Sequence, residues 1–167
     1  MQEAGHSSSP ITFEPIGIVH SPWKEIEGKP IQSAGARGIQ GTIEIFEQFQ
    51  AGLKDIEGFS RLILIYSFHR CPEKGLIVKP FLDPTPRGVF ATRAPKRPNA
   101  IGLSIVKLVE KTGGTLVIED VDILDGTPIL DIKPYVPMFD SYPDARAGWF
   151  EPVAENAKSC RSDGRFR

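Results

Sequence analysis

The chain has 167 residues and nearly balanced charge, with 20 lysines and arginines against 21 aspartates and glutamates. A chain of this length can bury the core of one domain without metals or disulfides, and the charge balance excludes a uniformly basic surface, so affinity for nucleic acid must come from a local patch. The two cysteines, Cys71 and Cys160, lie far apart, which does not fit a disulfide-rich secreted protein and favours the cytoplasm.

Both ends of the chain are polar and have little apolar surface to bury. We predict a flexible N-terminal segment at residues 1–10 and a mobile C-terminal tail at residues 153–167. Apolar periodicity fills residues 11–152, which indicates a single domain. Neither a leader sequence nor an apolar run of roughly 20 residues is present, so we expect neither secretion nor membrane insertion.

Short runs rich in Val, Ile, Phe and Thr, separated by Gly and Pro, predict β-strands. In chain order the runs are ITFEPIGIV, GTIEIF, RLILIYSF, GVFATR, IGLSIVKLVE, TLVIEDVDIL and PILDIKPY. Gly113-Gly114 and Asp125-Gly126 each stand between two such runs and are typical of hairpin turns. The pattern therefore predicts strands joined by tight turns.

One helix is predicted at EQFQAGLKDIEGF, because Phe49, Leu53 and Ile56 fall at helical spacing and Gly58 can end the helix. Many short strands with few helices indicate a mainly β fold, a small antiparallel β-barrel or closed sheet. A Rossmann-type nucleotide fold is disfavoured, since the sequence lacks GxGxxG and its strands do not alternate with helices.

A basic loop, TRAPKRPNAIGLS, spans residues 92–104 and follows another cation, Arg87. Its two prolines push the preceding residues toward extended conformations, so the loop should be stiff. A stiff loop that carries Arg93, Lys96 and Arg97 suits a carboxylate or a phosphate, since little ordering is needed on binding. The same pattern also fits a solvated loop that keeps a strand edge soluble, and both interpretations stay open.

The stretch LDGTPILDIKPY has a simple interpretation as a turn, because Asp-Gly between alternating apolar residues is a strong hairpin signal. Three acids, Asp122, Asp125 and Asp131, nevertheless fall close together, and carboxylates suit a ribose diol or a sulfonium cation. A hard metal ion is disfavoured, because the segment lacks the ligand periodicity of a calcium-binding loop.

His69 follows the most apolar strand candidate, where its side chain should emerge at the rim of a barrel. It can serve as a proton acceptor, as a platform for base stacking, or as an ordinary hydrogen-bonded surface residue. The few scattered histidines and cysteines disfavour a zinc site. The sequence also lacks a Gly-x-Ser-x-Gly elbow and a Walker loop, which weakens hydrolase and NTPase interpretations.

Four stretches carry a family resemblance: FEPIGIVHSPWK, YSFHR, ATRAPKRPNAIGLSIVKL and DVDILDGTPILDIKPYVP. In this order they resemble the TsaA/TrmO family of S-adenosylmethionine-dependent methyltransferases over most of residues 11–140. The resemblance implies a small β-barrel enzyme, unlike Rossmann-type methyltransferases, that works as a homodimer with S-adenosylmethionine near the subunit interface. It further implies methylation of the exocyclic amine (N6) of threonylcarbamoyl-adenosine beside the tRNA anticodon.

The resemblance also implies which residues line the S-adenosylmethionine pocket: Phe68, His69, Arg93, Arg97, Pro98, Asn99, Ala100, Ile101, Gly102, Leu103, Ile123, Leu124, Asp125, Gly126, Thr127 and Leu130. Within this set, we expect His69 or Asp125 to accept the proton of the amine. Arg93 or Arg97 should pair with the carboxylate of the threonyl group. Charge alone selects the residues expected to contact the RNA backbone: Arg37, Arg70, Arg87 and Lys96.

Two departures from the family pattern bear on the substrate. Bacterial members often carry an additional C-terminal domain, whereas this chain ends soon after the predicted barrel, and Lys96 and Ala100 stand where many relatives have an aromatic residue and a proline. Two alternatives therefore stay open. One is a methyltransferase for another RNA or a small metabolite, and the other is a non-enzymatic β-barrel that binds nucleic acid.

Overall fold

The computed structural model describes residues 9–166 and contains eight strands. In chain order the strands are β1 Gly17–His20, β2 Gln40–Ile45, β3 Arg61–Ser67, β4 Ile77–Val78, β5 Arg87–Gly88, β6 Ile101–Thr112, β7 Thr115–Glu119 and β8 Pro128–Pro134. Six of them close into an antiparallel barrel in the order β1-β2-β7-β6-β3-β8, and β4 pairs only with β5. The predicted mainly β fold with a small antiparallel barrel is confirmed.

Helical structure is short, and the described residues form one α-helix, α1, at Pro137–Asp140. The other helices in the described part of the chain are 3-10 helices at Ser33–Gly35, Glu47–Leu53, Ile56–Gly58, Val89–Ala91, Gly148–Lys158 and Gly164–Phe166. Within residues 9–166, the structure contains no helix with the length and hydropathy needed to cross a bilayer.

Two local predictions are wrong. The single helix expected over residues 47–59 is two 3-10 helices, because Asp55 between them adopts the left-handed conformation (φ 67°), which breaks the helical hydrogen bonding. The strand expected at GVFATR is a 3-10 turn after Gly88, and Arg97 holds this turn by donating hydrogen bonds to the carbonyls of Val89 and Thr92.

The two turn predictions have different outcomes. Gly113 (φ 58°) and Gly114 join β6 to β7 in a tight hairpin, as the sequence predicts. Asp125 and Gly126 (φ 73°) do form a turn, but it is not a hairpin, because the following strand, β8, pairs with β1 and β3 instead of β7. The turn thus redirects the chain across the barrel end.

The barrel is filled by alternating residues of each strand, as expected for a sheet with one inward face. In β3, Leu62, Leu64 and Tyr66 point inward, while the intervening isoleucines are half-buried on the outer face. The inward positions of β6 include Gly102 and Ser104, which stand opposite Tyr66 and Leu64. Polar groups of both strands therefore reach the barrel interior near one end.

A second, smaller hydrophobic cluster lies beside the barrel. It brings together Val78, Val89, Ala94 and Phe166, with Phe81 packed against them. The C-terminal residues 153–166 are thus in contact with the rest of the protein, and the mobility expected for residues 153–167 stays a prediction. Most of the flexible segment expected at residues 1–10 lies outside the described residues.

Candidate functional site

A cavity of about 340 Å³ opens where the end of β3, the beginning of β6 and residues 121–127 meet. Its volume falls in the range of small-molecule sites, roughly 300–1,000 Å³. The structure brings many of the predicted pocket residues to its wall: Phe68, His69, Arg93, Arg97, Ile101, Gly102, Leu103, Ile123, Leu124 and Thr127. The remaining ones do not line the cavity: Pro98, Asn99, Ala100, Asp125, Gly126 and Leu130.

A chain of buried hydrogen bonds lies in the cavity wall. The Ser104 hydroxyl donates to Oδ1 of Asp122 over 2.7 Å, and the Tyr66 hydroxyl lies 3.1 Å from Ser104 Oγ. Because Ser104 has one hydroxyl hydrogen and gives it to the carboxylate, Tyr66 must donate to Ser104. All three residues line the cavity, so its wall contains a carboxylate whose position is fixed by the hydrogen bond from Ser104.

Two cations act on this carboxylate. Lys29 donates from Nζ to the Asp122 carbonyl over 2.9 Å, and its ammonium also attracts the carboxylate. Burial raises the pKa of Asp122, while the Ser104 hydrogen bond and the charges of Lys29 and Arg93 oppose the rise. Burial likewise lowers the pKa of Lys29 and raises that of Tyr66. The wall therefore combines negative and positive groups within a largely apolar surface.

Sequence reasoning did not assign Lys29, Tyr66 or Ser104 to the site, and it named Asp122 only as one of three clustered acids that suit a ribose diol or a sulfonium cation. The sequence could have pointed to Ser104 and Asp122, because each is a polar residue inside an apolar run, IGLSIV and VDIL respectively. Such residues need buried partners when the run is a barrel strand or its continuation. Lys29 carried no such signal, because its loop reaches Asp122 only through the tertiary fold.

His69 is a solvent-exposed residue of the cavity wall, at the mouth of the cavity, and lies two residues after the end of β3. Burial lowers the pKa of its imidazole, and the nearby positive charge of Arg70 lowers it further. The ring is therefore neutral at physiological pH and has a nitrogen lone pair that can accept a proton. This is the state that a general base requires.

Asp125, the alternative proton acceptor, is already engaged at the surface. Its carboxylate accepts a hydrogen bond from the Ser21 amide over 3.0 Å and pairs with Lys24 over 2.8 Å. The hydrogen bond from Lys24, followed by that from Ser21, lowers the pKa of Asp125. The carboxylate thus anchors the segment that follows β1 and does not face the cavity.

The two arginines of the basic loop differ in their contacts. Arg97 donates from Nη1 to the carbonyls of Val89, Thr92 and Ala94 at 2.8–3.4 Å, so one arm of its guanidinium fork holds the loop. Arg93 is exposed at the cavity wall. Among the hydrogen bonds described for residues 9–166, its side chain makes none, which leaves its fork free for an anionic ligand.

Three of the four cations expected to contact RNA are paired within the protein. Arg70 pairs with Glu25, Arg87 pairs with Asp83 and lies over the Trp149 ring, and Lys96 pairs with Glu73. Arg37 is exposed. Arg70 is the member of this set that also lines the cavity. The RNA contacts of these four cations stay predictions.

Comparison with known proteins gives a consistent match. Residues 18–141 match the family model described as the tRNA-methyltransferase O N-terminal domain. A probable S-adenosyl-L-methionine-binding protein of Pyrococcus abyssi is 57% identical over 93% of this chain and 85% of its own length. The tRNA (adenine(37)-N6)-methyltransferase of Escherichia coli strain K12 is 37% identical over 90% of this chain and 69% of its own length.

Solved structures give the same match. A crystal structure of TrmO from Pseudomonas aeruginosa superposes with a TM-score of 0.71 and 38% identity, over 84% of this chain and 63% of that chain.

A further probable S-adenosyl-L-methionine-binding protein, from Archaeoglobus fulgidus, is 41% identical over 90% of this chain. The chain spans 41% of the length of that relative and less than two thirds of the P. aeruginosa structure.

Proposed function

Because the chain belongs to the family of the tRNA-methyltransferase O N-terminal domain, we propose that it is an S-adenosylmethionine-dependent methyltransferase that acts on tRNA. The acceptor is the exocyclic amine (N6) of threonylcarbamoyl-adenosine beside the anticodon. One observation carries the proposal: the fold joins the RPNAIGLS and DVDILDGTP stretches, far apart in sequence, around a single cavity that also holds His69. The E. coli relative, named for adenine 37, supports the choice of acceptor.

The cavity fits S-adenosylmethionine chemically. The cofactor carries two cationic centres and one carboxylate, together with an adenine ring. The wall supplies a buried carboxylate, Asp122, for a cationic centre, and aromatic surface from Tyr66, Phe68 and Phe81 for the adenine ring. When bound, the cofactor supplies an activated methyl group on a sulfonium centre.

Gly102 is required for the shape of this site. A Cβ atom on Gly102 would lie 2.3 Å from the Tyr66 ring and 2.9 Å from the Phe68 ring. Those two rings pack edge to face with centroids 5.5 Å apart. The glycine thus lets β6 pass beneath both rings, which keeps the aromatic wall and the hydroxyl of Tyr66 in place.

In the proposed reaction, His69 accepts the proton that leaves the amine of the acceptor adenosine. The amine is a weak nucleophile because its lone pair is delocalised into the ring, so a neutral acceptor at the cavity mouth assists the reaction. The geometry favours His69 over Asp125, whose carboxylate is held by Lys24 and Ser21. Positioning of the acceptor in a site shielded from water is the main remaining task of the protein.

Arg93 gives the proposed enzyme its selectivity for modified adenosine. The threonyl group of the substrate ends in a carboxylate, which an unmodified adenosine lacks. The free fork of Arg93 can bind that carboxylate through two parallel hydrogen bonds, whereas Arg97 has one arm committed to backbone carbonyls.

We propose further that the protein is a cytoplasmic homodimer. Ile101 and Leu103 are 38% and 46% exposed on the outer face of β6, at the rim of the cavity, where a second copy would cover them. Sedimentation equilibrium of the purified protein tests the assembly, and a monomer mass at micromolar concentration would contradict it.

The proposed activity is tested with methyl-labelled S-adenosylmethionine and total tRNA from cells that lack this methylation. After digestion to nucleosides, mass spectrometry locates the label, and we expect it on threonylcarbamoyl-adenosine. Label on another nucleoside would contradict the acceptor but keep the enzyme class. Saturable cofactor binding without any label in tRNA would contradict the tRNA substrate.

A further inference from the structure

The last residues of the described chain contribute to the cavity. We call residues 160–166 the C-terminal strap; it lies outside residues 18–141, which the family model matches. Two of its residues, Ser162 and Phe166, line the same cavity as His69 and Asp122. Both strap residues are buried, at 7% and 5% exposure. The strap therefore forms a wall of the cavity and does not extend into solvent.

The strap is bound to residues 26–30 through its backbone. The Ser162 amide donates to the Lys29 carbonyl over 2.9 Å, and the Gly28 amide donates to the Ser162 carbonyl over 2.9 Å. An antiparallel bridge joins Pro30 to Arg161. The Ser162 hydroxyl contacts the carbonyls of Ile26 and Lys29. This pairing resembles a short added strand, which has a defined register.

Phe166 anchors the other end of the strap. Its ring meets Phe81 edge to face, with centroids 5.0 Å apart, inside the small cluster beside the barrel. Arg165 donates to the Pro80 carbonyl over 2.7 Å and lies over the Phe81 ring. Phe81 also lines the cavity, so the two phenylalanines form one apolar wall.

The strap is also coupled to the polar wall. The loop that it holds carries Lys29, whose ammonium donates to the carbonyls of Pro30 and Asp122. Release of the strap would free this loop and would expose the Asp122 side of the cavity to water. Solvent exposure weakens every electrostatic contact that a ligand makes there.

We propose that the C-terminal strap is part of the S-adenosylmethionine site, with Phe166 as an apolar wall and Ser162 as the group that positions Lys29. The identity of the ligand rests on the proposed function. A ligand enclosed by the strap stabilises its docked conformation, and loss of docking weakens binding by the same free energy. The cofactor site of this chain thus extends beyond the region matched by the family model.

Calorimetric titration with S-adenosylmethionine tests the proposal in the full chain. We expect Phe166→Ala to raise the Kd about tenfold or more, and Ser162→Ala to raise it by a smaller factor. Phe166→Leu should restore most of the affinity, because it keeps an apolar wall. Phe150→Ala is the matched control, because Phe150 is a half-buried aromatic residue of the 148–158 helix that does not line the cavity. The Kd of this variant for S-adenosylmethionine should equal that of the wild type.

A second measurement uses the wild-type protein and therefore does not require any variant to fold. Hydrogen–deuterium exchange at the amides of residues 161–166 should slow when the cofactor binds, by up to about 100-fold at 100 times the Kd. Unchanged exchange, or equal Kd values for Phe166→Ala and Phe150→Ala, would overturn the proposal. Binding and strap protection without methyl transfer to tRNA would overturn the proposed activity alone, and no saturable binding by the wild type would overturn both.

Discussion

Ser104 and Asp122 meet inside the cavity wall, where the serine hydroxyl donates to the buried carboxylate over 2.7 Å. Ser104→Ala would remove the donor of the carboxylate and the acceptor of the Tyr66 hydroxyl at once. Because both groups are buried, we expect a loss of about 1–3 kcal/mol in the free energy of unfolding, measured by urea denaturation. Ser159→Ala, at an exposed position, should change stability little. Equal stability of the two variants would contradict a stabilising role for this chain of buried hydrogen bonds.

The raised pKa of Asp122 gives a second prediction, for the dependence of stability on pH. Burial raises this pKa in the folded state above its unfolded value, so between these two values the folded state binds more protons. The contribution of Asp122 is therefore most favourable below about pH 4 and is lost as pH rises through its folded pKa. Relative to Asp122→Asn, the wild type should lose stability over that window. A constant difference in unfolding free energy across pH would contradict this assignment.

A third prediction concerns the pH profile of the proposed reaction. Because burial and Arg70 lower the pKa of His69, the acid limb of kcat/KM should lie below pH 6.5. His69→Ala, measured at saturating S-adenosylmethionine, should lower kcat by about 10²–10⁴-fold and remove that limb. Arg70→Gln should shift the limb to higher pH, since it removes the neighbouring positive charge. A limb that stays in place in both variants would exclude His69 as the base.

The two loop arginines should respond differently to replacement by lysine. Arg93→Lys keeps the charge but loses the fork, so selectivity for modified over unmodified tRNA should fall about tenfold or more in kcat/KM. Arg97→Lys loses contacts to the Val89, Thr92 and Ala94 carbonyls and should mainly lower thermal stability. If Arg97→Lys alone changed the selectivity, the assignment of the carboxylate to Arg93 would be wrong.

The sequence predicts the barrel well because its strands carry a local signal. In β3, the run RLILIYS is apolar almost throughout, which predicts a strand but not its orientation; the structure shows that Leu62, Leu64 and Tyr66 are its inward side chains. The 47–59 segment shows the converse case: helical spacing is present, but Asp55 adopts a left-handed conformation and tertiary packing selects two 3-10 turns. Local periodicity thus identifies strands that fill a core, whereas short helices depend on their surroundings.

The residues that share the cavity could be predicted in part, mainly through the family resemblance, and their role as a cofactor site stays a prediction. His69, Gly102 and Thr127 line the cavity as expected. Asp125 does not, because Lys24 and Ser21 hold its carboxylate outside. Such pairings join residues about 100 positions apart, and no local pattern reports them. The same limit applies to the C-terminal strap, whose polar sequence gives no sign that Phe166 is buried against the cavity.

Gly102 provides the last prediction, which tests the packing of the aromatic wall. Gly102→Ala would place a methyl group 2.3 Å from the Tyr66 ring, and the ring cannot move freely because it packs against Phe68 and its hydroxyl is held by Ser104. We expect a loss of about 1–3 kcal/mol in unfolding free energy and weaker binding of S-adenosylmethionine. Gly52→Ala is the matched control, since a Cβ there meets no heavy atom within 4 Å. If both alanine variants kept wild-type stability and affinity, the close approach of β6 to the Tyr66 and Phe68 rings would not determine the shape of the cavity.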